Sequence, residues 1–307
     1  MYPLVSKAII CGLFGVSRQA WYDIKKRQSQ QQMQEVFILR LAKELREEHK
    51  RMGAEKLLHL LTPILLEHEI KYGRDKFYTL LGAHGLLVRR RKRRPKTTNS
   101  NHLFHKFPNL IKDIQLFAAG RLWVSDITYI RLRNGFAYLS LVTDAYSRKI
   151  MGWCLWPDLS SQGALNALKM AILCEEIRKG HLIHHSDRGI QYCCHDYVNY
   201  LRGCGICISM TENGDPYENP IAERINGILK DEYNLAETFI SYREALEAAE
   251  NAVYKYNNVR PHRSLGFMAP VEAHEHNGPL KKHWYPKSNK LQIKDGIAMN
   301  PETAEQE

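Results

Sequence analysis

Residues 122–156 read LWVSDITYIRLRNGFAYLSLVTDAYSRKIMGWCLW, and this stretch decides the fold. It holds three largely apolar runs, Leu122–Leu132, Phe136–Tyr146 and Lys149–Trp156. Two short polar turns separate them, Arg133-Asn134-Gly135 and Ser147-Arg148, and Asn-Gly is a strong hairpin signal. Three antiparallel strands are expected. Downstream, helical patterns over 160–178 and 194–204 alternate with short apolar strands over 182–186 and 206–210. Two further helices are expected over 219–234 and 241–257. The order βββαβαβαα makes a mixed sheet with helices on its faces, an α/β fold.

Three acids stand out in this frame. Asp126 lies mid-strand among Trp123, Val124, Ile127 and Ile130, where a charge is costly unless paired or bound to metal. Asp187 closes the apolar strand ending LIHHS, and ligands of open α/β sheets sit at the carboxyl ends of strands. Glu223 falls in the first turn of a helix that Asn219 would cap and Pro220 would begin. On that helix Ile221, Ile225 and Ile228 form an apolar stripe, and Glu223, Asn226 and Lys230 the opposite polar one. Each acid alone has a plainer reading: a buried salt-bridge partner, a turn residue, or a carboxylate facing the helix dipole. Three convergent carboxylates suit Mg2+ or Mn2+, hard cations that take oxygen ligands. Two such ions about 4 Å apart would clamp the attacking and leaving oxygens of an in-line phosphoryl transfer.

The net charge of +11 is unevenly spread over the 307 residues. Residues 1–100 hold 21 Lys and Arg against 9 Asp and Glu, and the remaining 207 hold 23 against 24. The basic excess therefore points to an anionic partner for the N-terminal third, and nucleic acid fits best. Residues 6–27 carry a helix-turn-helix pattern with Ser17 capping a helix over 18–26. That helix would turn Arg18, Gln19, Lys25 and Lys26 toward a groove. Helical patterns over 36–50, 56–66 and 75–84 suggest a second unit, with Pro63 interrupting the middle one and Gly85 stopping the last. Arg89, Arg90, Arg91, Lys92, Arg93 and Arg94 follow, a run that cannot pack in a core and suits a phosphate backbone.

The chain resembles the integrase-core (DDE) transposases of bacterial insertion sequences, closest to the second-reading-frame product of the insertion-sequence-three type. The resemblance rests on WVSDITYI at 123–130, TDAYSRKIMGW at 143–153, HSDRGIQY at 185–192, ENPIAERING at 218–227 and YNNVRPHRSL at 256–265. It implies a ribonuclease-H-like mixed sheet with flanking helices, preceded by all-α helix-turn-helix units. It implies metal-dependent DNA strand cleavage and strand transfer at the element's ends, with Asp126, Asp187 and Glu223 as metal ligands and Lys230 as a DNA contact. The implied partners are the terminal inverted repeats, target DNA, further copies of the chain assembled on DNA, and an upstream-frame DNA-binding product.

The expected organisation is a helix-turn-helix segment at 1–33, a second helical DNA-binding domain at 34–87 and a basic linker at 88–118. The catalytic core would span 119–285 and a disordered polar tail 286–307. Tyr192 and Tyr217 flank the centre and are read either as stacking on bases or as packing. His184, His185 and His195 are read as core or supporting residues. Cys204 and Cys207 lack a partner pair with zinc-finger spacing, and seven cysteines form no secreted-type framework. No stretch approaches the ~20 apolar residues of a membrane span. A cytoplasmic, nucleoid-associated protein is expected. Two rivals remain open: a nuclease of the same fold limited to hydrolysis, and a DNA-binding regulator with an inert core.

Overall fold

The computed structural model describes residues 6–88, 104–112, 114–175, 180–212 and 219–280. The basic run Arg89–Arg94, Tyr217 and the tail at 286–307 lie outside the described residues. Among the described residues no helix is long and apolar enough to cross a membrane.

Strand β1 (Leu122–Leu132) organises the sheet. It pairs antiparallel with β2 (Gly135–Asp144), which pairs antiparallel with β3 (Ile150–Trp156). On its other side β1 pairs parallel with β4 (Ile183–Ser186), and β4 with β5 (Cys207–Met210). The sheet order is β3-β2-β1-β4-β5, with a short β6 (Thr238–Phe239) added to the far end of β1. Leu132 pairs with Gly135, so the first hairpin is the expected tight one, and Gly135 takes φ +114° where a side chain would be strained.

Period-2 alternation sends the two sides of β1 to different helices. Trp123 joins Val142, Met151 and Met210 against α5 (Ser161–Leu173) and α7 (His195–Gly203). A short α6 (Ile190–Cys193) precedes α7. Ile130, with Leu139 and Leu141 of β2, packs against α8 (Pro220–Glu232) and α9 (Tyr242–Asn258). Leu122 and Val124 meet Ala222 of α8 on that same side. Gly152 lets α5 come very close: a Cβ there would lie 2.1 Å from the Ala167 carbonyl oxygen. A 3-10 turn (Arg263–Leu265) and α10 (Pro270–Glu275) complete the described part of the core. The ribonuclease-H-like mixed sheet with flanking helices is therefore present, preceded by a helical N-terminal region.

In that region α1 (Lys7–Leu13) leads into α2 (Arg18–Glu48), and Ser17 Oγ accepts from the Ala20 amide at 3.0 Å as the expected cap. Two separate helices over 18–26 and 36–50 are not found. The intervening RQSQQQMQE has no Pro or Gly and is rich in straight-chain helix formers, so one helix of 31 residues runs through it. The expected boundary between residues 33 and 34 falls inside α2. α3 (Ala54–Glu67) likewise continues through Pro63, and α4 (Arg74–Ala83) stops before Gly85 at φ +67°. The second half of α2 packs with α3 and α4 around Ile38, Ala42, Leu57, Leu61, Phe77 and Leu81.

Candidate active site

The parallel register between β1 and β4 brings two of the three acids together. Leu122 pairs with Ile183, Trp123 with His184 and Val124 with His185, a constant offset of 61. Asp126 and Asp187 differ by the same 61, so Asp187, one residue past β4, continues the row in which Asp126 lies. The Gly189 amide donates to Asp187 Oδ1 at 2.9 Å and orients the carboxylate in the turn that follows.

Asp126 is held from the opposite direction by α8. Asn226 Nδ2 donates to Asp126 Oδ2 at 2.8 Å, and the Ile127 amide donates to Oδ1 at 2.9 Å. Two turns earlier, Asn219 Nδ2 donates to the Ser125 carbonyl at 2.9 Å. Two amide side chains thus pin the start of α8 across β1, and Glu223 projects from the turn between them. Part of Asp126 stays open to solvent, yet desolvation of its carboxyl is the largest influence on its titration. With the Asp187 charge beside it and Glu223 adding a weaker effect, its pKa is pushed up to about 7; the two hydrogen bonds oppose the rise. The charges of both other acids therefore reach Asp126. Among the described residues no three acidic, His or Cys side chains stand close enough to make a preformed metal cluster.

Other expected residues are placed as follows. Lys230 lies in the last turn of α8, half-buried, two turns beyond Glu223. Arg18, Gln19, Lys25 and Lys26 are all exposed on the first turns of α2; Gln19 donates to Asp23 and Lys25 lies over the Trp21 ring at 4.5 Å. Tyr192 is buried and packs edge-on against Tyr197, so it packs and does not present a face for stacking on a base. His184 is a core residue: its Nε2 lies 2.7 Å from Ser125 Oγ and 3.0 Å from the Tyr197 hydroxyl, and burial pulls its pKa down to about 3. His185 Nδ1 lies 2.9 Å from Ser209 Oγ, and His195 packs edge-on against Phe104.

Two readings of α8 change. Asn219 occupies the cap position but its side chain makes no capping hydrogen bond, because it is spent on β1. Asn226 is buried at 6% exposure and does not line an outward polar stripe. In sequence its contact with Asp126 is hidden, because an amide three residues from an acid resembles an ordinary solvent-facing position. The available signal was its position between the buried Ala222, Ile225 and Leu229.

Residues 118–216 match the family described as Integrase core domain, and residues 204–270 match a second family of the same description. The chain is 32% identical over 270 residues to "Insertion element IS600 uncharacterized 31 kDa protein" of Shigella sonnei, covering 87% of this chain and 97% of that one. It is 30% identical over 277 residues to "Transposase InsF for insertion sequence IS3A" of Escherichia coli (strain K12), covering 87% and 93%. The chain belongs to the insertion-sequence transposases. Membership makes it an enzyme of the DDE transposase and integrase type, serving DNA transposition through an integrase core. Among solved structures it is similar to the HTLV-2 integrase catalytic core domain in complex with magnesium, at 16% identity and a TM-score of 0.42, over 51% of this chain and 97% of that one.

Proposed function

We propose that this transposase cuts and joins DNA at the ends of an insertion sequence by in-line phosphoryl transfer, with Asp126, Asp187 and Glu223 as the catalytic and metal-holding residues. The observation that carries the reading is the shared row of Asp126 and Asp187, closed from above by the helix that bears Glu223.

The donor set fits a hard divalent cation. All three groups are carboxylates, the oxygen ligands Mg2+ and Mn2+ prefer. Desolvation first, and the Asp187 and Glu223 charges second, raise the pKa of Asp126, and a bound cation would offset all three effects. Bound there, two divalent ions would polarise the phosphodiester and lower the pKa of the attacking hydroxyl. The protein's own part is positioning. Asn226 and the Ile127 amide fix both oxygens of Asp126, and Gly189 fixes one of Asp187, so the carboxylates need little reorganisation as charge develops. Water adds to the phosphorus and the 3′-oxygen leaves with a proton. The oxygen of the freed 3′-hydroxyl then bonds to the phosphorus of a second phosphodiester as that phosphorus loses its bond to the 3′-oxygen of the target strand, which leaves with the proton; no bond to the enzyme forms.

In the same reading Lys230 contacts DNA near the reacting phosphate. Arg18, Gln19, Lys25 and Lys26 contact the terminal repeats, and the run Arg89–Arg94 lies along the backbone. Copies of the chain assemble on DNA, with an upstream-frame product as a further DNA-binding partner and the nucleoid as its place of work. The decisive test is nicking of a duplex carrying the element's ends, with Mg2+ or with EDTA. Asp126→Asn, Asp187→Asn and Glu223→Gln should each abolish metal-dependent nicking while binding persists. Nicking by any of the three at the parent rate would sink the assignment.

A further inference from the structure

The sequence YNNVRPHRSL at 256–265 takes no part in the centre described above, yet most of its polar side chains are committed to contacts. Asn257 brackets Ile150, accepting from its amide and donating to its carbonyl, both at 2.9 Å. Arg260 is 1% exposed and grips Glu232 with two hydrogen bonds, from Nε at 2.7 Å and Nη2 at 2.8 Å. Glu232 is the last residue of α8. The motif therefore clamps the end of the helix whose beginning carries Glu223.

A third donor reaches the same carboxylate from outside the core. Lys56, in the first turn of α3, donates to Glu232 Oε1 at 3.2 Å with its side chain 17% exposed. Both side chains are largely shielded from water, and this burial pulls the ammonium down to about 8. Around it the helical unit meets the same part of the core repeatedly. His49 packs edge-on against Tyr233, with ring centroids 5.5 Å apart. His59 stacks on Phe267 at 4.9 Å. Rim ion pairs join Glu48 to Lys255 and Glu55 to Arg263, each at 3.6 Å. Glu232 and Glu223 are nine residues apart on one helix, about 13 Å along a rigid rod.

We propose that Lys56 is a positioning residue for Glu223. By binding Glu232 it makes the placement of α8 depend on the N-terminal helical unit. DNA seated on that unit is thereby registered to the carboxylate that acts on it. The inference rests on the assignment of Glu223 made above. It gives Lys56 no contact with DNA, since its ammonium is directed into the junction.

The test measures Mg2+-dependent nicking of a duplex taken from the element's ends, using the full chain and its Lys56→Met, Lys56→Arg and Glu223→Gln variants. Lys56→Met should lower kcat ten-fold or more with KM for the duplex within two-fold. Lys56→Arg, which restores a positively charged donor to Glu232, should return kcat to within three-fold of the parent. Should the Met variant fail to fold by circular dichroism, Lys56→Gln carries the same expectation, keeping a donor and removing the charge. Parent-like kcat in the charge-removing variant, a loss confined to KM, or a loss that Lys56→Arg shares in full would each overturn the proposal. Glu223→Gln separates the two readings. If it nicks normally, the centre and the positioning role fall together; if it is inactive while Lys56→Met is parent-like, only the positioning role falls.

Discussion

Asn226 donates to Asp126 across 2.8 Å, from the second turn of α8 to the middle of β1. The contact spans 100 residues of sequence and joins the helix bearing Glu223 to the strand bearing the first acid. A carboxylate that must hold a cation needs its free rotation removed, and a buried amide does this without adding charge.

Asn226→Ala should therefore lower kcat for metal-dependent nicking by about 10- to 100-fold, the usual cost of losing a group that orients a ligand. DNA binding, read by gel shift, should be unchanged. Asn226→Asp should be worse, because it sets a fourth carboxylate against Asp126; equal activity in the two variants would argue against the orienting role.

The metal-free protein should lose stability as pH rises toward neutrality. Asp126 moves from 3.8 to about 7 on folding. Between those values the folded chain holds a proton that the unfolded chain has released, so unfolding free energy falls as pH rises through the window. Urea denaturation in EDTA at pH 5 and pH 8 should show the decline. Asp126→Asn should flatten it, and Mg2+ at pH 8 should recover stability in the parent but not in the Asn variant.

Gly152→Ala should destabilise the core. The added methyl would meet the Ala167 carbonyl oxygen at 2.1 Å and the Ala171 nitrogen at 2.6 Å, both backbone atoms of α5. Overpacking of this kind costs about 1–3 kcal/mol, read as a lowered denaturation midpoint. Activity at low temperature should survive, since α5 lies across the sheet from α8.

Binding to DNA should depend steeply on salt. Replacing Arg89, Arg90 and Arg91 with alanine should reduce the slope of log K against log salt by up to about 0.9 for each lost phosphate contact. An unchanged slope would remove the run from the interface.

Much of the catalytic fold is written locally. The tight Asn134-Gly135 hairpin, the alternation along β1 and the apolar runs of β4 and β5 each mark their element within a few residues. The position of Asp187 beside Asp126 was legible only as a suspicion, because strand register across a crossover depends on packing that no local pattern encodes. α2 was misread for the opposite reason: a polar stretch looked like a break, although its glutamines and methionine are good helix formers. The clamp between Arg260, Glu232 and Lys56 left no local trace. Each residue looks like ordinary surface charge until the two units are placed side by side.

The central place of β1 also sets when the enzyme can become dangerous. This strand meets β2 almost at once, but its other neighbours arrive about sixty and a hundred residues later. Contacts so distant in sequence form late in folding, after the local helices of the N-terminal region. During synthesis the N-terminal helices proposed to contact DNA are made first, and the proposed carboxylate centre is assembled only once α8 closes over the sheet. On the proposed assignment, a chain interrupted before Glu223 would keep the helices assigned to DNA and lack the third acid, and so would act as a competitor of the intact enzyme.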